Sequence, residues 1–266
     1  MADLVTANEP LLRLGAFLLT AMAMGAWELA APRRWRMRPR LARWPSNLGI
    51  VALNTVLVRL LFPAAAVGAA LWASSGGIGL FNLIASPPVA AVVLSVILLD
   101  LLIYGQHVAM HKVPFLWRLH RMHHMDLDVD FTTGLRFHPV EIILSAALKF
   151  LAVIALGAPP AAVILFEVIL NATSMFNHGN VRLGPGLDRL LRAAVVTPDM
   201  HRVHHSVIRR ETDSNYGFAL SVWDRLFGTY RAQPAKGHAA MTLGLPVFRS
   251  PGDGGFYALL LNPLRS

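Results

Sequence analysis

The stretch VAAVVLSVILLDLLIYGQHVAMHKVPFLWRLHRMHH, residues 89–124, sets the architecture. Val89 to Tyr104 is apolar enough to begin a membrane-spanning helix, and nothing breaks the helical pattern before His111. His107 and His111 are therefore expected at the mouth of a span. Residues three or four apart share a helix face, so these two stack on one side, and His120 can look the same way as His123 and His124. Two pincers for metal result. The HxxHH spacing of the second returns at His201, His204 and His205.

Working outward, the 266 residues are 55% hydrophobic and only 15% charged, which places the chain among membrane proteins. The formal charge of +9 does not indicate nucleic-acid binding, because the basic residues sit mainly beside apolar segments, as juxtamembrane anchors facing anionic headgroups do. With no cysteine, disulfides, thiolate metal sites and cysteine nucleophiles are excluded. Any metal must be bound by nitrogen or oxygen.

The N-terminal MADLVTANEPLLRLGAF has no basic region ahead of its apolar run and no small-residue cleavage site, so it is expected to be retained. A first span is predicted from about Leu11 to Ala31. The following PRRWRMRPRLAR, with Arg33, Arg34, Arg36, Arg38, Arg40 and Arg43, marks the cytoplasmic side, of an inner membrane if the protein is bacterial. A second span is predicted from about Leu48 to Ala73, carrying Asn54 and Arg59, the arginine lying near an interface or in a polar interior. Leu80 to Ala85 reads as a short interfacial piece before the third span.

Pro139 then opens an apolar helix through about Ala155, Gly157 to Pro160 makes a reversal, and Ala161 to about Phe176 returns. Three spans and one hairpin bring His107–His124, His138, His178 and the C-terminal segment to one face. The expected fold is an all-α, multi-span helical bundle forming a single domain over 1–266. Arg182 onward forms a cytoplasmic cap.

Neutral imidazole is a common ligand for iron, zinc and copper. Eight histidines in three clusters are twice what one four-coordinate zinc uses, so the count favours two metals. His178 could supply a ninth ligand. His138, just before the proline that opens a helix, is either a tenth or a cap. His238, with no partner at ligand spacing, is expected at the surface, and Asp100 either orients an imidazole or caps another polar group. Hydrolysis of the HExxH type needs a glutamate beside a ligand, whereas Val108 follows His107 and Arg202 follows His201. Dioxygen activation toward a lipid C–H bond suits nitrogen-held iron beside hydrocarbon. A membrane zinc hydrolase and a metal-transport or metal-binding membrane protein are the alternatives. The last would distribute its ligands near the bilayer midplane.

HVAMH, HRMHH and HRVHH in this order, together with RFHPVE, NHGN, TPDMHRVHH, ETDSNYGF and WDRLFGTY, resemble the fatty acid hydroxylase/sterol desaturase superfamily of integral-membrane di-iron proteins. The resemblance runs roughly from Leu99 to Arg231 and implies a catalytic region at 88–231. It implies a centre of two iron ions, which zinc can replace in purified protein, bound by His107, His111, His120, His123, His124, His178, His201, His204 and His205. It also implies O2 as co-substrate, hydroxylation or desaturation of a sterol, fatty acyl or related lipid, and two electrons from outside. With no haem or flavin domain in the chain, the donor is expected to be a separate ferredoxin or cytochrome-type protein, which the basic face could dock. Asp126, Asp199 and Asn177 are candidates for acceptors that fix imidazole tautomers. No catalytic residue is expected beyond the metal ligands. Trp223, Phe227 and Tyr230 are expected to pack the cap onto the spans.

Overall fold

The computed structural model describes residues 8–265, and the expectation concerning a leader at residues 1–7 falls outside them. Five stretches are long and apolar enough to cross a membrane. They are α1 (Glu9–Ala30); the segment that begins with α2 (Trp44–Leu61) and continues through α3 (Ala65–Ser75) and α4 (Leu80–Leu83); α5 (Pro88–Lys112); α7 (Pro139–Leu156); and α8 (Pro160–His178). Between α5 and α7 lies α6 (Pro114–His124). Each of these helices except α3 and α4 has proline in its first turn, where the missing N–H removes no helical hydrogen bond. Among the described residues there are isolated β-bridges but no strands.

The second span is not one helix, as its hydropathy suggested. Pro63 lacks an N–H and its ring crowds the preceding turn, so α2 stops at Leu61, and α3 begins with Ala65 at φ +50°. Arg59 is exposed in the last turn of α2 and so does not line a polar interior.

α1 packs on α8, α8 on α5, and α7 receives both α2 and α3. Their shared core contains Leu99 and Ile103 from α5, Val153 from α7, Val163 and Phe166 from α8, and Val67 from α3. The outward faces are equally apolar. Leu60 is 72% exposed and Leu19 67%, part of a belt that suits lipid and not water.

At the end of α7 remote from the histidines, Gly157 adopts φ +61° and packs against Gly79, itself at φ +93°. A Cβ on Gly79 would lie 2.2 Å from the Gly157 nitrogen. Gly79→Ala is therefore expected to lower stability by about 2 kcal/mol or more through strain and overlap. Thermal unfolding in detergent checks this, with Gly15→Ala, which meets nothing within 4 Å, as the comparison. Equal melting of the two variants would contradict it.

The arginine-rich loop after α1 was expected to face headgroups, yet most of its guanidinium groups are used inside the protein. Arg33 pairs with Asp199 at 3.0 Å, Arg34 donates to the Met241 carbonyl at 2.8 Å, and Arg38 to that of Arg249 at 2.9 Å. Arg43 is buried between Asp126 and Asp130. The apolar members face outward instead, Trp35 being 94% exposed. Near the end of α1 the fully buried Glu28 takes N–H groups of Phe131 and Asn180 on one oxygen and Arg40 on the other. That carboxylate ties the first span to the two segments flanking the histidines.

Beyond α8 the cap comprises α9 (Pro185–Arg192), α10 (Pro198–His204), α11 (Arg209–Thr212), α12 (Val222–Leu226), α13 (Gly237–Ala240) and α14 (Phe256–Leu260). Asp100 of α5 holds the cap down, accepting from the Ala219 and Leu220 amides and, at 2.8 Å, from the Trp223 indole. It caps these groups and orients no imidazole. Phe227 stacks on Tyr104 at 5.4 Å, so Trp223 and Phe227 pack the cap as expected, while Tyr230 lies under Arg225.

Candidate metal centre

α5 and α6 are separated by Val113 alone, whose extended backbone (φ −93°, ψ 117°) is what a following proline favours. The elbow folds α6 back so that His120, His123 and His124 meet His107 and His111. His178 arrives on the last turn of α8. α10, opened by Pro198 and capped by Thr197 on the Met200 amide, brings His201 and His204, with His205 just after it.

All nine histidines converge, each no more than 3% exposed. They form two groups, His107, His111, His120, His124 and His204 in one, and His123, His178, His201 and His205 in the other. Within each group the available ligand atoms lie within 4.8 Å of one another. The groups adjoin, His124 stacking on His205 with ring centres 4.6 Å apart.

The outward nitrogens fix the tautomers. His107 donates from Nδ1 to the Tyr216 carbonyl, His178 to that of Ser174 and His204 to that of Ser214, each at 2.7 Å, and His123 to that of Arg136 at 3.2 Å. His120 donates to the Glu141 carboxylate at 2.7 Å. A neutral imidazole that gives away its Nδ1 proton keeps a lone pair on Nε2. Those lone pairs face each other, His107 against His120 at 3.2 Å and His123 against His178 at 3.0 Å. Two acceptors so placed repel unless a cation lies between them, and each group holds such a pair; in the four-histidine group the His201 Nε2 also lies 3.0 Å from that of His178. Among the described residues both nitrogens of His124 and His205 also lack partners, and His111 has no hydrogen bond on Nε2 while its Nδ1 lies 3.4 Å from Asp213. The donor set fits metal ions in both groups.

Burial first, then neighbouring imidazoles, push His123, His124, His201 and His205 well below the ordinary histidine pKa, and His204 down to about 3. These rings stay neutral in the folded protein. An unfolded chain takes up their protons below about pH 6.5, so stability is present above that value and falls as pH drops toward the folded-state values. Metal-stripped protein is expected to melt at progressively lower temperature from pH 7 to pH 5. A midpoint that holds steady over that range would contradict this.

The sequence profile described as fatty acid hydroxylase matches residues 92–229, just over half the chain. The chain belongs to the fatty acid hydroxylase family. Among similar proteins in the family's range are an ornithine lipid hydroxylase of Rhizobium tropici, 32% identical over 150 residues, 56% of this chain and 44% of that one. Human alkylglycerol monooxygenase is 33% identical over 138 residues, 50% of this chain and 29% of that one. Cholesterol 25-hydroxylase of Rattus norvegicus is 27% identical over 146 residues, 54% and 47% of the respective chains. The chain thus spans less than half the length of these relatives. No solved structure matches it.

Within this hydroxylase-family fold the other residues singled out from sequence take different places. His138 lies outside both groups. It caps α7 by accepting the Val140 amide on Nδ1 and donates from Nε2 to the Leu260 carbonyl at 3.1 Å. Asp126 bonds Arg43 and Thr133 and pairs with Arg136, with no imidazole, because two buried guanidinium groups outcompete it for position. Asp199 pairs with Arg33 and Arg202, and Asn177 donates to the Phe218 carbonyl. His238 is buried, 3.7 Å from Asp199, contrary to its expected exposure, because Arg34 grips its carbonyl and draws the segment inward. The acceptors that do orient the rings were missed. Four are backbone carbonyls, and the fifth, Glu141, stands within the quoted RFHPVE word.

Proposed function

We propose that the two histidine groups each hold one iron ion and that the protein is a membrane lipid hydroxylase using O2 and electrons from a separate donor. The facing Nε2 lone pairs, present in each group, carry this reading. Two bound irons supply the chemistry R–H + O2 + 2e⁻ + 2H⁺ → R–OH + H2O. The chain's own residues do the rest. Five outward hydrogen bonds lock the ring orientations, so the ligand geometry is set before any ion arrives. On the membrane side Phe137 stacks on His123 at 4.4 Å and Phe218 lies 5.1 Å from His107, with Leu99, Ile103 and Phe166 in the adjoining core. This floor offers no hydrogen bond to water and presents an apolar face toward the centre.

The relatives act on an ornithine lipid, alkylglycerol and cholesterol by their names, which share an extended apolar body. A lipid entering from the bilayer fits the same description here. Hydroxylation is favoured over desaturation because these relatives are hydroxylases and monooxygenases. Hydrolysis is disfavoured, since neither group contains a carboxylate and Glu141 is engaged on the Nδ1 side of His120. The arginine-rich loop contacts the segments that carry the histidines, and the positive-inside rule supports a cytoplasmic placement of that face. Lipids from cells expressing the protein are expected to gain the mass of one oxygen, only with O2 present. A loss of two hydrogens would mean desaturation, and an unchanged lipid profile would overturn the proposal.

A further inference from the structure

The electron supply that the proposed function requires must reach a centre sealed from solvent. Electronic coupling falls steeply with distance, so the entry point should be a conjugated side chain that touches a ligand imidazole and also reaches the surface. Trp117 and Phe137 both contact the histidines without being fully buried. Phe137 packs into the membrane-spanning core with Val153 and Phe166. Trp117 instead sits at the α5–α6 elbow, its ring 4.9 Å from that of His111 and 5.4 Å from that of His124.

The surroundings of Trp117 are basic. Arg209 lies over its indole at 5.3 Å and also donates to the His111 carbonyl. The side chains of Lys112 and Arg209 are 54% and 60% exposed, and Arg118 and Arg210 are exposed beside them in sequence. Asp213 pairs with both Lys112 and Arg209, leaving an excess of positive charge. Such a patch attracts an acidic partner and orients it on approach.

We propose that this elbow is the docking surface for a small acidic one-electron carrier protein, and that Trp117 is the contact through which each electron passes to the five-histidine group. The carrier is oxidised by one electron per encounter and the centre is reduced by one, two encounters serving each O2. This rests on the iron reading above, but the surface can be tested apart from it.

The probe is a plant-type [2Fe–2S] ferredoxin, presented to the 266-residue protein in zwitterionic nanodiscs. With metal-free protein, the Lys112→Glu/Arg210→Glu pair is expected to weaken ferredoxin binding about tenfold at low salt, the difference disappearing at high salt. With iron-loaded protein, reduction is followed by absorbance in stopped flow. Trp117→Leu is expected to slow reduction by ferredoxin at least about tenfold, with rates compared at equal bound ferredoxin and per bound iron, while leaving reduction by dithionite unchanged; Trp117→Phe restores most of the rate.

Wild-type binding by the charge-reversed pair, or wild-type reduction of Trp117→Leu by ferredoxin, would overturn the proposal. So would a charge effect confined to nanodiscs of anionic lipid, which would make the elbow a headgroup site. Protein that binds no iron at all would instead refute the proposed function, while the binding arm would still report on the surface.

Discussion

His204→Ala is expected to lower bound iron from about two per chain to about one and to reduce lipid hydroxylation at least about 100-fold. His204 is the only member of its group supplied by the cap, the other four coming from α5 and α6. Its Nδ1 is committed to the Ser214 carbonyl, so its Nε2 has no task other than the group interior. The partner experiment is His178→Ala, which removes one of the facing lone pairs of the four-histidine group. Iron is counted after anaerobic purification, and activity is read as oxygen incorporation into lipid. Retention of both irons with full activity in either variant would mean that the ligand assignment is wrong. A zinc-rich preparation would not decide the question, since imidazole sites accept zinc during overexpression.

Arg43→Ala should produce the largest loss of stability outside the histidines. The guanidinium spans Asp126, with contacts of 2.8 and 2.7 Å, and Asp130, at 2.8 Å, and all three residues are buried. Removing one partner of a buried ionic cluster strands the remaining charges, at a cost of about 3–5 kcal/mol. For a chain of this size that lowers the melting temperature by roughly 10 °C. The effect should reach the metal. Asp126 also pairs with Arg136, whose carbonyl accepts from His123, so the four-histidine group should lose iron before the five-histidine group does. Arg43→Lys keeps the charge but not the bidentate fork, and should fall between the two. An Arg43→Ala protein that melts with the wild type would show that the aspartates are relieved by solvent.

The parts of this structure legible in the sequence are those set by short-range pattern. Eight of the nine histidines stand at i, i+3 or i+4 spacing, which announces shared helix faces, and the apolar stretches announce five crossings. Pro63 was equally visible, but hydropathy does not register a missing N–H, so α2 and α3 read as one span. The imidazole acceptors were hidden for a different reason. A backbone carbonyl belongs to every residue, so nothing in the letters distinguishes Tyr216, Ser174, Ser214 or Arg136 in that role. Glu141 reaches His120 only because α7 packs beside α6, a tertiary fact. The arginine run showed its charge, and composition cannot say whether a charge meets a headgroup or, as Arg43 does, an aspartate.

Each histidine group draws on parts of the chain far apart in the order of synthesis, with His204 completing one and His201 and His205 the other. Neither group is therefore complete until residue 205 has left the ribosome and α10 has settled over the spans. On the proposed assignment, metal capture would report that the bilayer-embedded half and the cap have joined correctly, and a chain truncated before that point would have no means of keeping its metal.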